Sequence, residues 1–241
     1  MGISPLNGQH VVIIGGSSGI GFAVAEAALA EGARVTIGSS DPAKVEAALA
    51  RLGAGASGGA VDLRDTASVA AFADSLSGID HLVSTAGDWG GAFRGAGLAN
   101  MDLTEAAQGL EVRFWGPLRA IQAALPKLSA SGSITLTGGV RTHRPSKGMP
   151  LSSAFGGAIE HLAKGLAVDL APIRVNAVCP GIILTDVWAN VPEDRIAAMT
   201  SRLPLPRGGT PAETAEAYIH LMRATYTTGQ VLVVDGGVML V

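Results

Sequence analysis

The chain has 241 residues, 48% of them hydrophobic and 15% charged, which is enough apolar material for the core of one large α/β domain. Its 17 basic and 20 acidic side chains leave a net charge of −3, so it lacks the basic footprint of a nucleic-acid or anionic-membrane binder. Cys179 is the single cysteine, which excludes an intrachain disulfide and suits a reducing, cytoplasmic setting. The first residues lack a signal-peptide pattern, and no run of about 18 apolar residues marks a membrane span.

The first predicted strand covers residues 10–14. It passes straight into Gly15-Gly16-Ser17-Ser18-Gly19-Ile20-Gly21, and a helix over 20–31 follows. Further strands are expected at 34–37, 59–61, 81–84, 133–137, 173–178 and 231–234. Helices are expected at 42–51, 67–75, 103–128, 151–170 and 211–222. Continuous apolar strands alternating with helices predict an α/β fold: a doubly wound (Rossmann), mostly parallel seven-stranded sheet with helices on both faces, in one domain spanning 1–241. Two segments at strand ends, about 88–100 and 185–205, are expected on the substrate side.

The strand–glycine loop–helix order points to dinucleotide binding. Glycines allow the tight turn and close approach to a pyrophosphate, and the helix N-terminus supplies N–H groups and a favourable dipole. The spacing G-x-x-x-G-x-G is similar to that of the short-chain dehydrogenase/reductase family. Val61-Asp62-Leu63, Ser84-Thr85-Ala86-Gly87, Ile173-Arg174-Val175-Asn176-Ala177-Val178-Cys179-Pro180-Gly181 and Val234-Asp235-Gly236-Gly237 resemble that family's motifs along nearly the whole chain. The resemblance implies a nicotinamide cofactor contacted by Gly15, Ser17, Ser18, Gly19, Ile20, Gly21, Ser39, Ser40, Asp62, Leu63, Ser84, Ala86, Gly87, Pro180, Gly181, Ile183 and Thr185. Gly38 is expected where NAD-preferring members carry Asp. The missing acid favours NADP(H), with NAD(H) the alternative, and Ser39, Ser40 and Asp41 can instead be caps of the next helix.

The family's catalytic set is Asn, Ser, Tyr and Lys. The matching positions here hold Arg113, Gly139, Ser152 and Gly156, and no Tyr-x-x-x-Lys occurs anywhere in the chain. Two readings follow. The first is an oxidoreductase with an atypical site in which Arg113, His143 and Ser152 act on a small organic substrate. In it, Gly156 leaves room for the Arg113 guanidinium, and Asp88 and Trp89 line the cleft. His143 is the candidate proton donor because its ordinary pKa lies near neutrality. The second is a catalytically silent NADP(H)-binding sensor or partner subunit. Structural alternatives stand beside these: a solvated His143, and an Arg113 ion pair with Glu111 or a partner subunit. No metal is expected, because the five histidines are scattered in sequence. The resemblance also implies a homodimer or homotetramer.

Overall fold

The computed structural model describes residues 6–87 and 97–241. Asp88, Trp89 and most of the expected 88–100 loop lie outside them. The elements in chain order are β1 (His10–Ile14), α1 (Gly19–Ala30), β2 (Arg34–Ser39), α2 (Pro42–Leu52), β3 (Ala56–Ala60), α3 (Thr66–Ser75) and β4 (Ile79–Ser84). Then come α4 (Leu103–Leu110), α5 (Gly116–Ala124), β5 (Leu128–Thr137), α6 (Pro150–Asp169), β6 (Arg174–Pro180), α7 (Glu193–Thr200), α8 (Pro211–Arg223) and β7 (Val231–Val234).

The seven strands form one sheet of order β3-β2-β1-β4-β5-β6-β7, and every pairing is parallel. β1 shows why it sits at the centre. Val11 and Ile13 face a core built with α1, α2 and α8, while Val12 and Ile14 face a second core built with α3, α5 and α6. A strand buried on both faces must be apolar at every position, which is what the run His-Val-Val-Ile-Ile provides. The chain turns outward in opposite directions from β1 and β4, so a crevice opens at their carboxyl ends.

Two expectations are corrected. The third strand is Ala56–Ala60, not 59–61. Its Gly58 is required by a close approach, since a Cβ there would lie 2.6 Å from the Ile37 carbonyl oxygen. The single helix expected over 103–128 is interrupted by a π-helical turn at Glu111–Trp115 and ends at Ala124. Pro117 lacks the N–H that a continuous helix would bond to Arg113, and the wider turn absorbs that loss. Gly116 lies against Leu63, whose Cβ would be 2.7 Å from a Cβ at 116. Among the described residues, no helix is long and apolar enough to cross a membrane.

Candidate active site

The glycine loop is held from below by the end of β4. The Thr85 hydroxyl donates to the carbonyls of Ile14 and Gly15, both at 3.2 Å, and the Thr85 N–H donates to Ile14 at 2.9 Å. Gly15 has φ +89°, and a Cβ on it would be 2.6 Å from the Ala86 nitrogen. A Cβ on Gly21 would collide with the Gly15 carbonyl. Ser18, the N-cap of α1, is extended and its side chain caps nothing. The first-turn N–H groups of a 12-residue helix therefore lack a side-chain cap and face the loop, a donor set that fits a pyrophosphate. Ser17 and Ile20 are half-buried beside it, and Thr185 closes over it, with Cγ2 3.2 Å from where a Gly19 Cβ would be.

At the end of β2, the position expected to carry the discriminating acid is corrected. A Cβ on Gly38 would point into the core, 2.7 Å from Val61 Cγ1 and 2.9 Å from Phe72 Cζ. Strand alternation therefore turns the next residue, Ser39, toward the opposite face. Ser39 is half-buried and Ser40 exposed, and neither hydroxyl bonds a described residue. Asp41 is the cap of α2, accepting from the Ala43 and Lys44 N–H groups at 3.0 and 3.3 Å. Asp62 accepts from the Arg64 N–H at 2.9 Å. The Leu63 side chain belongs to the core, and its carbonyl accepts from Arg119 at 3.0 Å.

At the far end of the cleft, Pro180 closes β6 and Gly181 abuts Asp235, whose Cα would be 2.7 Å from a Gly181 Cβ. Asp235 itself accepts from the Gly237 and Met239 N–H groups, both at 2.8 Å. Ile183 is buried and bridges to Gly209. Ser84 is buried at the β4 terminus, with Ala86 and Gly87 progressively more exposed.

Above β5, a short 3₁₀ turn (Val140–Thr142) folds onto α6. The Ser153 hydroxyl donates to the Arg141 carbonyl at 2.6 Å, and Thr142 Oγ1 occupies the space a Cβ on Gly156 would need. The room expected at Gly156 for a guanidinium is thus taken by Thr142. Beside it, no atom of a described residue lies within 4 Å of where a Gly139 Cβ would be. His143 Nε2 lies 3.0 Å from each oxygen of Glu160, a carboxylate that is only 3% exposed. Burial, and then the Glu160 charge, push the neighbouring Cys179 thiol up to about 12, so it is a neutral group. The side-chain oxygens of Ser152 and Thr142 are buried and bond no described residue.

Arg113 stands on the π-helical turn, which packs against α6, and its Nη2 is shielded from solvent. The ion pair expected between Arg113 and Glu111 is corrected: the Glu111 carboxylate is held by Arg119 at 2.6 Å. Tyr218 is fully buried, bonded at 2.7 Å to Thr137, and takes no place in the cleft. Sequence reasoning missed Thr85, Thr142 and Glu160. Each acts through contacts across the fold, and Glu160 read only as one polar residue on a long helix.

Comparison with known proteins agrees with this architecture. A family model described as enoyl-(acyl carrier protein) reductase matches residues 14–239. The short-chain dehydrogenase/reductase malC of Malbranchea aurantiaca is 34% identical, over 98% of this chain and 96% of its own. The chain belongs to the short-chain dehydrogenase/reductase family. The structure of MalC, described as a reductase/Diels-Alderase, superposes with a TM-score of 0.89 at 32% identity, covering 98% of each chain. A small-chain dehydrogenase in complex with NADPH gives 0.81 at 30% identity, covering 98% of this chain and 100% of its own. A Pseudomonas aeruginosa PAO1 short-chain oxidoreductase, described as containing an atypical catalytic center, gives 0.87 at 28% identity, covering 95% and 97%. Membership in this family supports oxidoreduction as the reaction class and a nicotinamide dinucleotide as the cofactor class.

Proposed function

We propose that the protein is an atypical NADP(H)-dependent oxidoreductase that works without the family's Asn-Ser-Tyr-Lys set and moves a hydride between the nicotinamide and a small organic substrate. The observation that carries the cofactor preference is the end of β2. Ser39 and Ser40 leave it without a carboxylate, while their hydroxyls bond no described residue. A carboxylate there would repel a 2′-phosphate, and free hydroxyls can donate to one. The NADPH complex of a relative supports the same reading.

When bound, the nicotinamide supplies the hydride. The chain's own residues do the rest. The α1 N-terminus holds the pyrophosphate, Pro180, Gly181, Ile183 and Thr185 wall the nicotinamide end, and Arg113, His143 and Ser152 face the substrate. Assembly as a homodimer or homotetramer and a cytoplasmic setting belong to the same reading. Exposed Leu103 and Trp115 on and beside α4, and Val168 on α6, support the assembly.

Fluorescence titration with NADPH and NADH in parallel tests the cofactor claim. The expected result is NADPH binding at least about tenfold tighter, or roughly 1.4 kcal/mol, with the difference lost in a Ser39→Asp variant. Equal affinities would remove the NADP assignment, and no binding of either would remove the function. A second reading, a silent NADP(H)-binding sensor, is favoured by Ser152 and Gly156, which leave α6 without the Tyr and Lys that support proton transfer in the family. Tight NADPH binding with no turnover of any ketone, imine or enone would select it.

A further inference from the structure

We propose that Glu160 is the positioning residue of a Glu160–His143 proton-donating pair, which replaces the acid that α6 lacks at Ser152 and Gly156. The proposal extends the oxidoreductase reading above and depends on it.

Three observations carry it. First, Glu160 lies one helical turn beyond Gly156 and two beyond Ser152, so all three project from one face of α6 toward the end of β5. A Cβ on Gly138 would sit 3.6 Å from Glu160 Cγ, which places the carboxylate directly beneath the strand end. Second, a carboxylate this buried needs a compensating partner. It has one in the His143 imidazole, 3.0 Å from both oxygens. Third, the turn that carries His143 is built onto α6. Thr142 Oγ1 fills the space above Gly156, Ser153 holds the Arg141 carbonyl, and no described atom lies within 4 Å of where a Gly139 Cβ would be. The same local changes that remove the family's Lys and Ser side chains therefore seat a histidine over a buried anion.

Nε2 faces Glu160, while Nδ1 is engaged by no described residue and the side chain is 36% exposed. In the forward reaction the hydride goes to the carbonyl carbon with its electron pair. The Nδ1 proton goes to the carbonyl oxygen, giving the alcohol, and the imidazole is left neutral. Solvent then returns the proton to the exposed ring. Cys179 on β6 completes the cluster, its sulfur and the ligand atoms of His143 and Glu160 all lying within 4.8 Å of one another.

The test compares two probes with NADPH: a simple aryl ketone, whose reduction needs a proton, and N-methyl-3,4-dihydroisoquinolinium, whose reduction needs none. In Glu160→Gln and in His143→Gln, the ketone-to-iminium rate ratio is expected to fall by roughly 100-fold, the scale of lost general-acid catalysis. Glu160→Asp should recover part of it. His143 is at the surface, so its replacement keeps the test valid if Glu160→Gln folds poorly. An unchanged ratio, or equal loss on both probes, overturns the pair while leaving the oxidoreductase reading intact. Wild-type protein that binds NADPH but reduces neither probe overturns the pair together with the catalytic reading. Failure to bind NADPH is the separate failure of the cofactor site.

Discussion

Gly156 is a mid-helix glycine, normally a loss of up to about 1 kcal/mol relative to alanine. Here Thr142 Oγ1 stands where its Cβ would be, and the Gly139 carbonyl would be 3.2 Å away. Thr142 Cβ lies 3.4 Å from the same point, so the Thr142 side chain must turn or the backbone shift to make room, at roughly 1–3 kcal/mol for overpacking. The clash outweighs the propensity gain. Gly156→Ala should therefore lower stability in thermal denaturation, and adding Thr142→Ala should recover most of the loss. Additive effects of the two changes would show that Thr142 does not fill this space. Sequence reading singled out Ser152 and Gly156 by resemblance to a family motif with fixed spacing. It missed Thr142 and Glu160, whose importance comes from a turn folding back over a helix. It also misled at Gly38, where only strand direction reveals that position 38 points inward and position 39 does not.

At the scale of elements, central strands were legible because burial on both faces forces a continuous apolar run. The edge strand β3, Ala-Ser-Gly-Gly-Ala, was misplaced because close approach selects glycine there and erases the strand signature. The break after α4 was written in Gly116-Pro117, yet the flanking residues are good helix formers, and composition alone joined the two helices. Arg119 ties this break to the segment after β3: one guanidinium nitrogen bonds Glu111 at 2.6 Å and the other the Leu63 carbonyl at 3.0 Å. Both partners are part-exposed, which limits the contribution to roughly 1 kcal/mol. Arg119→Ala should lower the melting temperature slightly and weaken NADPH binding by a few-fold, through the loosened Asp62–Leu63 segment. Undiminished NADPH affinity would show that the link serves stability alone.

Across the whole molecule the two ends of the sheet do different work. The carboxyl ends of the strands carry the glycine loop, Ser39, the Ala-Gly turn, the His143 turn and Gly181. The opposite end carries a buried polar network. His10 bonds Thr36 and the Gly78 carbonyl, each at 2.8 Å. His81 Nε2 donates to Gln9 Oε1 at 2.7 Å, so Nδ1 accepts from the Ser133 hydroxyl at 2.8 Å. Arg174 binds the last carbonyls of α8. Burial first, and then the Arg174 charge, lower His81 from 6.5 to about 4, and burial also lowers His10. Both rings are held neutral in the folded protein, whereas the unfolded chain protonates them near 6.5. Between those values the unfolded state binds more protons. The His81 contribution is therefore complete above pH 6.5 and is lost as pH falls toward 4, up to about 3 kcal/mol. Urea denaturation at pH 7.5 and at pH 5 should show this loss in the wild type, with a flatter pH dependence and a lower neutral-pH baseline in His81→Gln. An equal pH dependence in both proteins would assign the acid sensitivity to other groups. Because the network lies at the end of the sheet remote from the cleft, NADPH affinity at pH 7.5 should survive His81→Gln, so that acid stability and cofactor binding separate along the strand axis.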